Sequence, residues 1–488
     1  MRARLEDASP RVAAGLLAVA VLVLRLPSLF IQLFIQDEAA LSAQGLGLAK
    51  GGTMYLDAID RKPPLVPFLY EWSHRLTGDT DLRPMHVVAG VLLGVAAAAF
   101  ASEGRRVGGA RAMWWTGGLL VTGALAMVPA DAQAANYSHI ALPFGALALV
   151  ASRRNSDRAA FAAGLFLALA TLSRQTWAIG VIPATVAIVM QGPWRRRLPI
   201  AFVGGLIPVG MVALVVPWAD FVYGGFRSNG SFVFEGATLW GIVGRAVGSV
   251  AVFGAFHLVA WVLCLRAGVR RDEIDLWLWL ATGVVAMAVG FRFGGHYWLQ
   301  ALRCSRCSGA PGGPRPLACS GRGGGRRRDG SRRARAGVVP DRGDDAAGSG
   351  TAGGRRRRPV GSRRQRPDLG QLPRGVLDRR AAPCRGFVSM DFLTGRSAQR
   401  SSAASTVAAP GRAYPHLLDS IRADRPAVVI DMQPTGHREY APYSMTLFPE
   451  LAAFVEAHYG PRWRSTARSC TSAWTASDTA LAPRPCGA

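Results

Sequence analysis

Nine apolar segments follow one another through the first three hundred residues, near 12–36, 85–102, 112–129, 138–152, 159–173, 176–192, 198–217, 240–265 and 274–291. The hydrocarbon core of a bilayer takes a helix of about 17 to 25 such residues. Only helices and closed barrels satisfy every backbone group there, so this recurrence predicts a polytopic helical membrane protein. Half of the residues are hydrophobic and the mean hydropathy is positive, which suits a polytopic membrane chain. Charge supplies an independent check, because Arg and Lys gather in short cytoplasmic loops. Arg2, Arg4 and Arg11, then Arg105, Arg106 and Arg111, then Arg153, Arg154 and Arg158, then Arg195 to Arg197, then Arg266, Arg270 and Arg271 fall on alternate connections. The N-terminus is therefore expected in the cytoplasm of a multi-pass protein of the cell (plasma) membrane, with the loop 37–84 outside.

The first apolar stretch is too long for a signal-peptide core, carries Arg25 and Pro27 and lacks a small-x-small cleavage site. It reads as a retained anchor.

The outward loop begins with adjacent carboxylates, Asp37 and Glu38, and continues as "AALSAQGLGLAKGGTMYLDAIDRKPPLVPFLYEWSHRL". Two solvated acids at a membrane boundary would look the same on their own. The residues after the pair add information. Small, apolar and aromatic side chains alternate there as they would in an amphipathic segment on the bilayer surface. Lys62 is one of two lysines in the chain, and Pro63 and Pro64 fix the backbone beside it. A carboxylate, a cation and a rigid turn at headgroup depth suit a phosphate-bearing lipid.

The acid pair, a Gly-x-x-Tyr-x-Asp, the Lys-Pro-Pro-Leu, the Arg-Gln turn in "GLFLALATLSRQTWAIGVIP" and the Arg-Phe-x-x-His-Tyr in "FRFGGHYWLQAL" together resemble the GT-C class of membrane glycosyltransferases. Within that class the resemblance is to the dolichyl-phosphate-mannose protein mannosyltransferases and the bacterial aminoarabinose and lipopolysaccharide sugar transferases. It covers residues 10–302 and implies a mainly α fold.

The resemblance also implies a reaction. A sugar passes with inversion from a polyprenyl-phosphate-linked donor to a hydroxyl of a lipid, glycan or protein acceptor at the outer membrane face, without nucleic acid. Such a displacement needs a base on the acceptor oxygen and stabilisation of the departing phosphate. By position, Asp37 is the candidate base and Glu38 an orienter or metal ligand. Lys62 is the first candidate for the phosphate, followed by Arg174 and Arg292, and Tyr55, Asp60, His296 and Tyr297 are further substrate contacts. Arg174 equally suits the end of a helix at an outward turn, and Arg292 a snorkelling position. His139 stands where relatives carry a second acid, which weakens a two-acid metal site. No cofactor is required and a divalent metal is left open, with Glu38, Asp131 and His139 as candidate ligands.

Beyond residue 302 the composition changes. About 22 of the 57 basic residues are arginines between Arg303 and Arg385, and they dominate the formal charge of +26. Taken literally, 303–385 is a disordered Arg/Gly tract of the kind that binds RNA, and Cys304-x-x-Cys307 is half a metal site. Arg and Gly codons read one base later begin with G, which permits Ala or Val throughout, so the tract is read instead as out-of-frame text replacing apolar spans. Sense returns over 386–461, where helix, strand and helix patterns form a fragment of a small α/β domain, and 462–488 is read as a second out-of-frame stretch. Five of the seven cysteines lie in or beside these stretches and Cys486 ends the second, so no disulfide framework can be inferred. The frame reading expects a single-base discrepancy near codon 303, restored near codon 386. A message sequence that encodes the chain as it stands would overturn it.

Two other function classes remain open on sequence. A transporter for a lipid-linked or anionic substrate would use Arg25 and Arg245 as charges within the membrane, but no second copy of the acid-loop pattern accompanies them. An RNA-binding anchor would depend on the Arg/Gly tract.

Overall fold

A computed structural model describes residues 9–31, 33–58, 60–78, 81–125, 127–227, 238–258, 262, 273–289, 293, 295–301, 413–424, 428–431, 448–463 and 472–476. Arg292 and the tract 303–385 lie outside them.

The described part of 1–302 is helical. Three helices, Arg83–Leu125, Trp194–Val215 and Leu239–Phe256, are long and apolar enough to cross a membrane, and Pro10–Leu24, Tyr137–Ser152, Gln175–Met190 and Ile274–Ala288 are shorter apolar ones. Several of the longer side chains point away from the protein: Leu214 is 86 % exposed and Trp240 81 %. In water that would be costly, at roughly 25 cal/mol per Å² of apolar surface. Against lipid tails the penalty disappears.

The helix boundaries have local causes. The span expected over 12–36 is cut at Leu24, and a short helix Pro27–Phe30 follows. Proline at 27 cannot donate to the preceding turn. Arg83–Leu125 is in fact two helices joined at Gly108 and Gly109, with Gly109 at φ 78°, a left-handed conformation that a glycine adopts without strain. The two arms fold back on each other, as the separate expectations for 85–102 and 112–129 require. Where Asp157–Ser173 meets Trp194–Val215, a Cβ on Gly164 would lie 1.7 Å from the Ala201 carbonyl oxygen and one on Gly204 2.2 Å from that of Phe161. Small residues thus let the two backbones touch, the usual device of helix pairs in lipid.

At one end of the helices a buried ion network joins three of them. Glu103, fully buried, accepts from Arg153 Nε at 2.8 Å and from Arg106 Nε at 3.0 Å. Arg153 reaches on to Asp275. At the other end, helix Gln36–Ala49 packs against helix Leu65–Thr77. Gly45 permits it, since a Cβ there would meet Tyr70 Cβ at 2.6 Å.

Within the C-terminal residues, helix Ala413–Asp424, strand Val428–Asp431 and helix Pro449–His458 follow in order. Strands Tyr459–Trp463 and Ser472–Ala476 complete an antiparallel sheet whose central strand is Ser472–Ala476.

Candidate functional site

The loop between the two packed helices is held from several sides. Tyr55 sits at φ 68°, an uncommon conformation for a residue with a side chain. Gly224 lies flat against its ring, where a Cβ would come within 2.4 Å. The Tyr55 hydroxyl donates to the Lys62 carbonyl at 3.0 Å, and Gln175 Nε2 donates to the Arg61 carbonyl at 3.1 Å. Asp60 accepts from Gln44 Nε2 at 3.0 Å and from the Tyr137 hydroxyl. The backbone on both sides of Lys62 is therefore fixed by residues from the helix Gln36–Ala49, the helix Tyr137–Ser152 and the Arg-Gln turn.

So fixed, the Lys62 ammonium lies 3.5 Å from Asp37 Oδ2 and 4.0 Å from the centre of the Tyr137 ring. Asp37 remains 45 % exposed and Lys62 31 %, so both are open to a ligand. The Lys62 charge holds the Asp37 carboxyl below its usual range against the opposing effect of burial, and Arg174 pulls in the same direction as Lys62.

Glu38 faces the other way. It is fully buried, and four donors occupy its oxygens: His86 Nε2 at 2.8 Å and the Ala135 amide at 2.6 Å on Oε1, the Phe34 and Ile35 amides at 2.9 and 3.4 Å on Oε2. His86 Nδ1 lies 2.5 Å from the Ser28 carbonyl. Both ring nitrogens face oxygen atoms, so the His86 ring ties Glu38 to the Ser28 carbonyl.

The segment 131–136 is clamped from below. Arg25, 2 % exposed, donates to the carbonyls of Ala132 at 2.9 Å and Gln133 at 2.8 Å, and Gln133 Nε2 returns a bond to the Leu24 carbonyl at 2.9 Å. Above the clamp, Asp131 Oδ1 accepts from His296 Nδ1 at 2.6 Å. The next residue, Tyr297, lies under the Arg174 guanidinium at 3.8 Å, and Arg174 also donates to the Ser138 hydroxyl. Beside Asp131 opens a cleft of about 240 Å³, lined among others by Arg245, Ser249, Phe253, Phe293 and Trp298.

The sequence-derived candidates therefore separate. Asp37, Lys62, Tyr55 and Asp60 share one set of contacts, and Arg174, His296 and Tyr297 another. The Asp37 charge couples the two. The candidate metal ligands are engaged elsewhere: Glu38 with His86, Asp131 with His296, and His139 through Nδ1 with Asn136 at 3.1 Å. Among the described residues no group of three or more His, Cys, Asp or Glu is placed to hold a metal ion.

Sequence reasoning missed His86, the donor inside the Glu38 network, and Tyr137, which lies under Lys62 and binds Asp60. A histidine three residues into an apolar helix and a tyrosine beside its asparagine cap were the available signals. Comparisons with protein-family models, with curated proteins and with solved structures return no match.

Proposed function

We propose that the chain is an integral membrane glycosyltransferase of the GT-C kind, transferring a sugar with inversion from a polyprenyl-phosphate donor to an acceptor hydroxyl at the outer membrane face. The observation that carries this reading is the partly open Asp37–Lys62 pair, whose lysine sits on a loop pinned by Gln44, Tyr137 and Gln175. A reacting carboxylate and a phosphate-binding cation need that kind of fixed separation. In the resting protein each neutralises the other. When a lipid phosphate arrives, Lys62 turns to it and Asp37 is released as base toward the acceptor hydroxyl. Arg174, already stacked on Tyr297, is the second cation for the departing phosphate. Glu38 is the orienter in this scheme, since its oxygens are filled by donors of the protein itself. A divalent cation has no step here.

The same reading makes the chain a multi-pass protein of the cell membrane with a cytoplasmic N-terminus. On this reading residues 386–461 are a fragment of a small α/β domain that follows the membrane part.

Two experiments test the proposal. Lys62→Ala removes a charge-assisted contact worth roughly 1.5 to 3 kcal/mol, so the donor concentration for half-maximal transfer should rise by about 10- to 100-fold. An unchanged donor dependence would remove Lys62 from the phosphate site. For topology, side chains 62 and 106 are 31 % and 36 % exposed, so cysteines placed there are open to reagent. An impermeant thiol reagent outside intact cells should modify Lys62→Cys and spare Arg106→Cys. The reverse pattern would invert the orientation and put the pair in the cytoplasm.

A further inference from the structure

We propose that Asp131 and His296 form a positioning pair in which Asp131 fixes the imidazole tautomer and His296 Nε2 accepts a hydrogen bond from a hydroxyl of the bound sugar or acceptor. The inference rests on the sugar-transfer reading for the identity of the ligand, and on geometry for the pair itself.

Asp131 Oδ1 stands 2.6 Å from His296 Nδ1. A carboxylate accepts, so Nδ1 carries the proton, and the neutral ring presents a bare Nε2. The approach is built in. A Cβ on Gly295 would lie 2.4 Å from Asp131 Oδ2, so a larger residue there would push the carboxylate away. Arg25 holds the backbone immediately after Asp131 through the carbonyls of Ala132 and Gln133. Asp131 and His296 side chains are 19 % and 16 % exposed, sheltered yet reachable. Burial, with the charge of Arg174, moves His296 below the ordinary imidazole value against the pull of Asp131 and Asp37, which favours the neutral ring.

The chemistry of this pair selects its ligand. A bare nitrogen backed by a carboxylate repels a phosphate oxygen and welcomes a donor. Lys62 and Arg174 serve the phosphate, and the hydroxyl-bearing part of the substrate falls to His296.

The pair is tested without any assumed reaction by carbethoxylation of the detergent-solubilised full chain, read by mass spectrometry. Diethyl pyrocarbonate attacks a bare imidazole nitrogen, so His296 should be modified while His74, His86, His139 and His257, all at most 6 % exposed, are spared. In Asp131→Asn the amide can donate to Nδ1 and release the other tautomer, so labelling of His296 should fall several-fold. Equal labelling of parent and variant would overturn the pairing. In transfer assays His296→Gln, which keeps an acceptor near the place of Nε2, should retain activity that His296→Phe loses by about tenfold or more. Gln no better than Phe would overturn the hydroxyl contact. A parent chain that shows the labelling difference but transfers no sugar would sink the transferase reading and leave the Asp131–His296 pair standing.

Discussion

Asp37→Asn should lower sugar transfer by about 10² to 10⁴, the usual contribution of a positioned general base, while the protein inserts and folds as before. The substitution keeps the size of the side chain and its ability to accept from Lys62, and it lies at a partly exposed position. On the proposed reading, what it removes is the carboxylate's basicity toward the acceptor's proton. The pH dependence distinguishes this role from a purely electrostatic one. Lys62 holds the Asp37 carboxyl below the usual carboxylate range, so the base stays ionised as the medium is acidified and transfer falls only when the pH drops through that lowered value. Removing Lys62 relieves the depression, so in Lys62→Ala the acid limb of the profile should move to higher pH. A limb that stays in place, or full transfer by Asp37→Asn, would return Asp37 to the bland reading of a solvated acid at a membrane boundary.

How far the sequence reached depended on whether a pattern was local. The helices Tyr137–Ser152, Asp157–Ser173 and Ile274–Ala288 begin and end within a few residues of the apolar segments that announced them, because length and hydropathy are properties of a window. The early end at Leu24 was also local, written in Pro27. The Lys62–Asp37 contact was legible as two charges 25 residues apart around a rigid turn. The contacts that fix the site were not. His86 to Glu38, Arg25 to the carbonyls of 132 and 133, and Asp131 to His296 join residues 48 to 165 positions apart. No periodicity encodes such pairings. Adjacent acids also look alike in a sequence, and only the helix start at Gln36 turns one outward and the next into the protein.

That division between the two acids leads to the second large effect. Glu38→Ala should destabilise the protein by several kcal/mol, since each buried donor left without its acceptor costs about 1 to 3 kcal/mol, and should abolish transfer through loss of structure. The methyl group leaves His86 Nε2 and the amides of Phe34, Ile35 and Ala135 without their acceptor, in a place from which water is excluded. Since Ala135 belongs to the strap that carries Asp131, and Ile35 precedes the helix that carries Asp37, both halves of the site should loosen together. Thermal unfolding in detergent and protease resistance of the loop that carries Lys62 measure the loss. Removing His86 as well should cost less than the two single changes added, because they share one interaction. Glu38→Gln then separates an orienter from a metal ligand. Its amide points hydrogens at donors that need an acceptor, so a divalent cation added to this variant should restore neither stability nor transfer. Partial rescue by the cation would reassign Glu38 as a ligand and bring a metal back into the mechanism.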